Sequence, residues 1–282
     1  MQTIGSTDMT ITYSRPPVKG RTIFADAPAS MAARAKGEAT LDNQKERVKG
    51  EPIVPYGHVW RTGANEATLF VVTDDVLING QPLAAGKYSL HSIPGKDDWT
   101  FIFNKDDGQW GSFTYDAAKD ALRVKAKPAW AADSQELLTY DVEPVTDNSA
   151  MVNVKWERLR VPFTVEVKNV VATTLAHLHP FVAGAKSDDF GTPLQAANYA
   201  KANKAQDDAA KWYDQANKAI DEQIKAKPSF ANLTQKANIL FNAGRMPEAI
   251  AAGDKAVEAG KAEKADTSAL EKRIADAKAG KQ

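Results

Sequence analysis

The chain of 282 residues contains no cysteine. That absence removes disulfides, thiolate metal sites and cysteine nucleophiles, although it does not identify the compartment. No apolar run approaches the ~20 residues that a membrane-spanning helix needs. The longest candidate, Val170 to Leu178, is short and interrupted by Thr and His. Charge of one sign is not in excess either: 36 basic and 36 acidic side chains cancel. No global field therefore favours nucleic acid or an anionic membrane, and the expected surface is that of an ordinary soluble protein. The usual catalytic signatures are missing as well. There is no Gly-x-Ser-x-Gly elbow, no phosphate-binding Walker loop, no Gly-x-Gly-x-x-Gly and no His-Glu-x-x-His.

What is present divides into two halves of different period. With 43% hydrophobic residues the chain can fill two cores, and its length favours two domains. From Thr10 to about Lys168 apolar and polar side chains alternate, the pattern of half-buried strands. Trp99, Phe101 and Phe103 do so, as do Leu122 and Val124, Leu138, Tyr140 and Val142, Val152, Val154 and Trp156, and Val161, Phe163, Val165 and Val167. Turn residues at Asn79-Gly80, Pro94-Gly95, Asp106-Asp107-Gly108 and Asp147-Asn148-Ser149 separate them at the spacing of an antiparallel meander. The expectation for residues 1–168 is an all-β antiparallel sandwich or barrel-like domain. Residues 25–51, rich in Ala, Lys, Arg and Glu, read as an insertion forming a solvated loop or surface helix, with a lid over a site as the alternative.

Residues 169–191 read as a linker. Residues 192–282 carry Phe, Trp and Leu spaced by three and four, which predicts helices. Asp207 or Asp208 caps one helix running to Lys225 and stopped by Pro228; Ser229 or Asn232 caps the next, which Gly244 ends. Leu233, Ala237, Gly244, Ala249 and Ala256, with Tyr213, Ala216, Ile220 and Pro228 upstream, resemble a tetratricopeptide repeat. Gly253, Lys261 and Gln223 depart from that pattern, so the expectation is one and a half to two degenerate α-helical hairpin repeats.

Three strings stand out in the β half: 13–21 (Tyr-Ser-Arg-Pro-Pro-Val-Lys-Gly-Arg), 55–68 (Pro-Tyr-Gly-His-Val-Trp-Arg-Thr-Gly-Ala-Asn-Glu-Ala-Thr) and 86–95 (Gly-Lys-Tyr-Ser-Leu-His-Ser-Ile-Pro-Gly). With Gln109-Trp110-Gly111 and Tyr115-Asp116 they closely resemble a bacterial family known only as domain of unknown function 2911, over roughly residues 2 to 168. The insertion at 25–51 is the chief departure. The family supplies no reaction, cofactor or catalytic residue. It implies a periplasmic or otherwise extracytoplasmic location, because its members typically begin with an export signal followed by a segment similar to Gln2-Thr3-Ile4-Gly5; Met1 then stands where that signal was removed.

The strings hold the candidate ligand-binding residues Arg15, Arg21, His58, Trp60, Arg61, Asn65, Glu66, His91 and Trp110. Guanidinium forks, an amide, a carboxylate, imidazoles and flat indoles together suit a small anionic or glycan ligand. The same residues suit a purely structural role, with Arg and Asn tying down backbone carbonyls and Trp plugging the sandwich end. The leading functional expectation is an extracytoplasmic binding or interaction module whose helical tail takes a protein or peptide partner, without cofactor or metal. The alternatives are an unassigned hydrolase with an acid/base site near His58, Glu66 and His91, and a pure scaffold. His177-x-His179 reads as two surface histidines of the linker, and Asn232-Leu233-Thr234 as a sequon on a helix without consequence.

Overall fold

A computed structural model describes residues 1–28, 40–42 and 50–280, so most of the 25–51 insertion lies outside the described residues. It divides into two compact units, Met1–Thr173 and Thr174–Gln282.

The first unit is built from two antiparallel sheets, and no closed barrel forms among the described residues. One sheet has the order β1 (Gln2–Ile4), β2 (Thr7–Thr12), β5 (Thr68–Val72), β8 (Gly86–Ile93), β9 (Trp99–Asn104) and β10 (Asp120–Ala126). The other has the order β11 (Ala129–Thr146), β12 (Ser149–Glu166), β6 (Val76–Ile78) and β7 (Gln81–Leu83). A short parallel pair, β3 (Phe24–Ala25) with β4 (Val54–Pro55), stands apart. Sandwich-like packing of antiparallel sheets is therefore the architecture that the alternation predicts.

The tight turns fall where the dipeptides predict them. Asn79 and Gly80 both take positive φ, 46° and 78°, and join β6 to β7 as a primed two-residue turn requires. Asn79 does more than turn, since its Oδ1 accepts from Thr164 N at 2.7 Å and so pins the hairpin to β12.

The alternating runs 152–156 and 161–165 belong to a single strand, β12, and Val167 follows directly after it. Its buried positions are even through Trp156 and odd from Leu159 onward. The change of phase coincides with Glu157 at φ 52° and with irregular pairing to β11, so one bulged strand keeps apolar side chains inward along its whole length.

Between the sheets Trp60 stacks on Trp156 with ring centroids 5.8 Å apart, and Phe24 meets Trp60, Trp99 and Trp156 edge-on. Phe70, Phe101, Phe103 and Phe163 continue this core. The half-buried expectation fails at β9, where every residue is buried, including Ile102 and Asn104 on the face opposite the core. The chain from 105 to 119 folds back over that face, and this covering creates the interior on which the candidate site depends.

The stretch 169–191 is largely helical: α1 spans Val170–Ala183, with Asn169 Oδ1 accepting from Ala172 N at 3.0 Å at its start. Pro180 reads as a breaker but lies in the last turn, and Leu175 and Leu178 supply an apolar face that packs in the helical core. Then follow α2 (Gly191–Ala202), α3 (Gln206–Ala226), α4 (Phe230–Asn242), α5 (Met246–Ala262) and α6 (Ser268–Lys278). Asp207 and Asp208 lie in the first turn of α3 rather than at its cap, while Ser229 caps α4 and Gly244 follows it at φ 78°. Helices α2 and α3 pack as one pair and α4 and α5 as another, with α6 against α5. No described helix is long and apolar enough to cross a membrane.

Gly253, the glycine where the repeat pattern places a bulky side chain, has a physical reason. A Cβ there would stand 2.8 Å from Ile274 Cδ1, so its absence lets α6 approach α5. Gly253→Ala should be nearly neutral, the helix-propensity gain of about 1 kcal/mol offsetting a small shift of a flexible Ile tip. Gly253→Phe should cost about 1 to 3 kcal/mol by overpacking. Denaturant unfolding of both variants checks this; equal stability of the Phe variant would disprove the close approach.

Candidate functional site

The first string runs along the edge of β11. Val18 N donates to Glu136 O at 2.8 Å and Leu138 N donates to Pro16 O at 3.1 Å, extending the sheet by local pairing. Arg15 binds Leu138 O through Nε at 3.1 Å and Thr139 Oγ1 through Nη2 at 2.8 Å. Arg21 donates to the carbonyls of Val18 and Pro17 within its own loop. Both arginines thus act as braces.

The second string folds into a self-bonded turn. Thr62 is buried at φ 48°, a strained conformation for a β-branched residue. Three bonds at a time hold it there: its Oγ1 donates to Ser92 Oγ (2.9 Å) or Trp60 O (3.2 Å), and its carbonyl accepts from Thr68 Oγ1 (2.9 Å) and Tyr140 OH (2.8 Å). Trp60 is a core residue whose indole donates to Gly63 O at 3.0 Å. Asn65 is exposed at φ 60°; its carbonyl accepts from Gly111 N, and its amide reaches Ser14 Oγ at 3.3 Å. Glu66 is exposed and pairs by backbone with Trp110, which is 58% exposed.

Arg61 braces a carboxylate rather than backbone carbonyls. Thr40, Leu41 and Asp42 form a clip from the insertion: Leu41 N donates to Val59 O at 2.8 Å and its side chain enters the core. Asp42 then accepts from Arg61 Nη1 at 2.8 Å and from Ser112 N and Oγ, both at 2.7 Å. A Cβ on Gly111, which lies at φ 63°, would stand 2.8 Å from Arg61 Nη1 and 2.9 Å from Asp42 Oδ2, so glycine is required for the loop to close over the pair.

The third string contributes Ser89 and His91, both wholly buried on the outer face of β8. His91 Nε2 lies 3.1 Å from Ser89 Oγ. The Gln109 amide nitrogen reaches Ser89 Oγ (3.4 Å), Asn104 Oδ1 (3.3 Å) and Asp106 O (3.1 Å), and the two carbonyl acceptors fix its orientation. Ser89 Oγ and His91 Nε2 are thus within hydrogen-bond distance, and the tautomer of His91 sets which of the two donates. Asn104 in turn donates to Asp116 O and Asp120 Oδ1, Tyr115 OH donates to Asp120 Oδ2 at 2.9 Å, and the Tyr115 ring lies 5.1 Å from that of His91. Burial, only partly offset by the Asp42 and Asp106 carboxylates, lowers the His91 pKa to about 4.

His58, Glu66 and His91 are not brought together by any hydrogen bond or ion pair among the described residues. His58 is buried with Nδ1 on Tyr56 O at 3.0 Å, Glu66 faces solvent, and His91 is sealed under the 105–119 segment. The Ser89–His91 pair has hydrogen-bond geometry, yet His91 Nδ1 has no acceptor to orient it as a base, and a neutral imidazole of such low pKa is a poor one. No group of three or more His, Asp or Glu able to hold a metal occurs among the described residues. His179 of α1 pairs with Asp208 at 3.4 Å and packs on Trp212. Sequence reasoning missed Asp42, Ser89, Asn104, Ser112 and Asp120; Leu41, alone among large aliphatics between residues 32 and 47, was the available signal for the clip.

The helical unit carries an open groove of about 670 Å³ lined by Lys201, Phe241, Met246, Lys272, Arg273 and Asp276, among others. Arg273 sits 4.5 Å over the Phe241 ring and donates to Asn238 Oδ1 (2.7 Å) and Asn242 Oδ1 (3.2 Å).

These features define an antiparallel β sandwich with a sealed polar interior, followed by a helical unit with an open, cation-lined groove. Residues 1–165 match the family model described as "Protein of unknown function (DUF2911)", and the chain belongs to that family. No curated protein and no solved structure matches the chain.

Two outcomes test the β-unit geometry. Asp42→Ala should cost about 2 kcal/mol, because Arg61 and Ser112 N lose their acceptor, whereas Arg61→Lys should cost less than about 1 kcal/mol, since one ammonium bond suffices. Equal effects in urea titrations would contradict the assignment. For His91, the unfolded chain takes up a proton near pH 6.5 and the folded one only near pH 4. Stability therefore falls as pH drops through that window, by at most about 1.4 kcal/mol per pH unit. His91→Gln should flatten the profile between about pH 6.5 and 5.5, above the range where depressed carboxylates contribute; an unchanged slope would exclude His91 as the cause.

Proposed function

We propose that the protein is a noncatalytic binding module acting outside the cytoplasm, in which the β unit is a self-bonded platform and the helical unit recruits a protein partner. Its helices are read as degenerate tetratricopeptide-like hairpins. Support comes from short connections at 203–205 and 243–245, from the buried small residues Ala237, Ala249 and Ala256, and from Leu233 packing beside them. Membership of a family whose members typically carry an export signal supports the extracytoplasmic part.

The observation that carries the reading is the contrast between the two units. Nearly every candidate side chain of the β strings is bonded within its own fold, whereas the helical groove is open and keeps its cations largely unneutralised. A small anionic or glycan ligand at the β strings is the weaker form of the proposal, because Arg15, Arg21 and Arg61 are already committed to internal acceptors.

The test is site-specific photo-crosslinking of the full chain in producing cells. A crosslinker in place of Lys272 should trap a discrete protein adduct, and one in place of Lys87, an exposed residue of β8, should not. No adduct from the groove position, or the same adducts from both, would overturn the assignment.

A further inference from the structure

The groove has a chemistry that selects its occupant. Three cations, Lys201, Lys272 and Arg273, face one carboxylate, Asp276. Arg273 is held by neutral acceptors alone, the two amide oxygens of Asn238 and Asn242, and by the face of Phe241; no carboxylate among the described residues pairs with it. The nearby cations Lys261 and Lys278, by contrast, are paired with Glu271 and Asp254.

One of the two amides that hold Arg273, that of Asn242, is itself held. Asn242 reaches Asn198 Oδ1 at 3.5 Å, and Tyr213 OH donates to the same oxygen at 2.7 Å, so a polar relay crosses α3, α2, α4 and α6. Lys201 Nζ donates to the Asn242 carbonyl at 2.6 Å. A guanidinium oriented by neutral dipoles and an aromatic ring keeps its full positive charge and its remaining N–H donors while losing rotamer freedom. That is the arrangement that binds a carboxylate with little further ordering.

We infer that the partner segment seated in this groove is an extended acidic peptide, with a Glu or Asp carboxylate on Arg273 and an apolar side chain against Met246 and Ala277. The inference rests on the partner-recruiting reading of the helical unit and adds the partner's chemistry. Placement of the cations on two separate helices, α2 for Lys201 and α6 for Lys272 and Arg273, fits a segment lying across the groove rather than a single small anion.

The experiment titrates the full chain into three fluorescein-labelled dodecapeptides of alternating composition, Glu-Leu, Gln-Leu and Lys-Leu, with anisotropy as the readout. The Glu-Leu peptide should bind at least about tenfold tighter than the Gln-Leu peptide at low salt, and added salt should erode that margin. The double variant Arg273→Gln, Lys272→Gln should lose the margin while keeping its helical circular dichroism. Ala269→Trp, which fills the groove from an exposed position, should abolish binding of every peptide. Equal binding of Glu-Leu and Gln-Leu, sensitive to Ala269→Trp, would overturn acid selectivity and leave the groove as a docking site. Binding that ignores Ala269→Trp, a Lys-Leu preference, or no binding at all would overturn the inference outright, the last also removing the groove from the functional reading.

Discussion

The β unit depends on one constraint: β9 and the Tyr88–Ser92 stretch of β8 are buried on both faces. A strand covered on one side can put its polar side chains in water, and the period-two pattern of the sequence anticipates that arrangement. Here the 105–119 segment closes the outer face, so Ser89, His91 and Asn104 must find partners inside the protein or carry a desolvation cost of about 1 to 3 kcal/mol each. The hydrogen bonds of Gln109 and Asp120 to Ser89 and Asn104, and the Tyr115 ring against His91, follow from that need. Strings far apart in sequence converge because each supplies acceptors or donors that the sealed face lacks.

The clip at Thr40 to Asp42 extends the same logic to charge. Arg61 stands beside the closed face with 19% of its side chain exposed, too little water for a free guanidinium to be indifferent. Asp42 neutralises it and uses its second oxygen on Ser112, so one carboxylate fastens the insertion to the turn after Trp60 and to the covering segment together. The close approach of that segment needs a residue without Cβ at position 111. Ion pairing, loop closure and glycine placement are thus one event rather than three.

Much of this was legible in residues and some was not. Alternation marked most inward side chains of β12, though not Ala150 or Leu159, and the change of phase at Glu157 made one strand look like two. Asn79-Gly80 announced a primed turn because few residues tolerate positive φ twice in succession. The helical capping signals placed α4 well, Ser229 Oγ accepting from Asn232 N at its start, but α1 read as linker: the proline in its last turn removes only one amide and leaves the apolar face intact. The candidate residues were visible as unusual types, yet their roles were not. Whether an arginine faces a ligand or an internal acceptor depends on chain returning from elsewhere, and Asp42 lies in a segment whose composition advertises only solvent.

Arg61 and Arg273 therefore handle charge in opposite ways, and the difference separates structure from function more sharply than residue type does. In the β unit Arg61 meets Asp42, Arg123 meets Asp120 and Arg160 meets Asp133, while Arg15 and Arg21 meet backbone or hydroxyl oxygens. Arginines so committed contribute to holding loops, and a ligand would have to displace an existing acceptor before gaining anything. In the helical unit Arg273 is oriented as firmly, by two amides and a ring, but none of its partners cancels its charge. Neutral acceptors immobilise the guanidinium at little electrostatic loss, whereas a carboxylate would have consumed it. An arginine held in place with its charge intact has a field that acts outward, on whatever enters the groove.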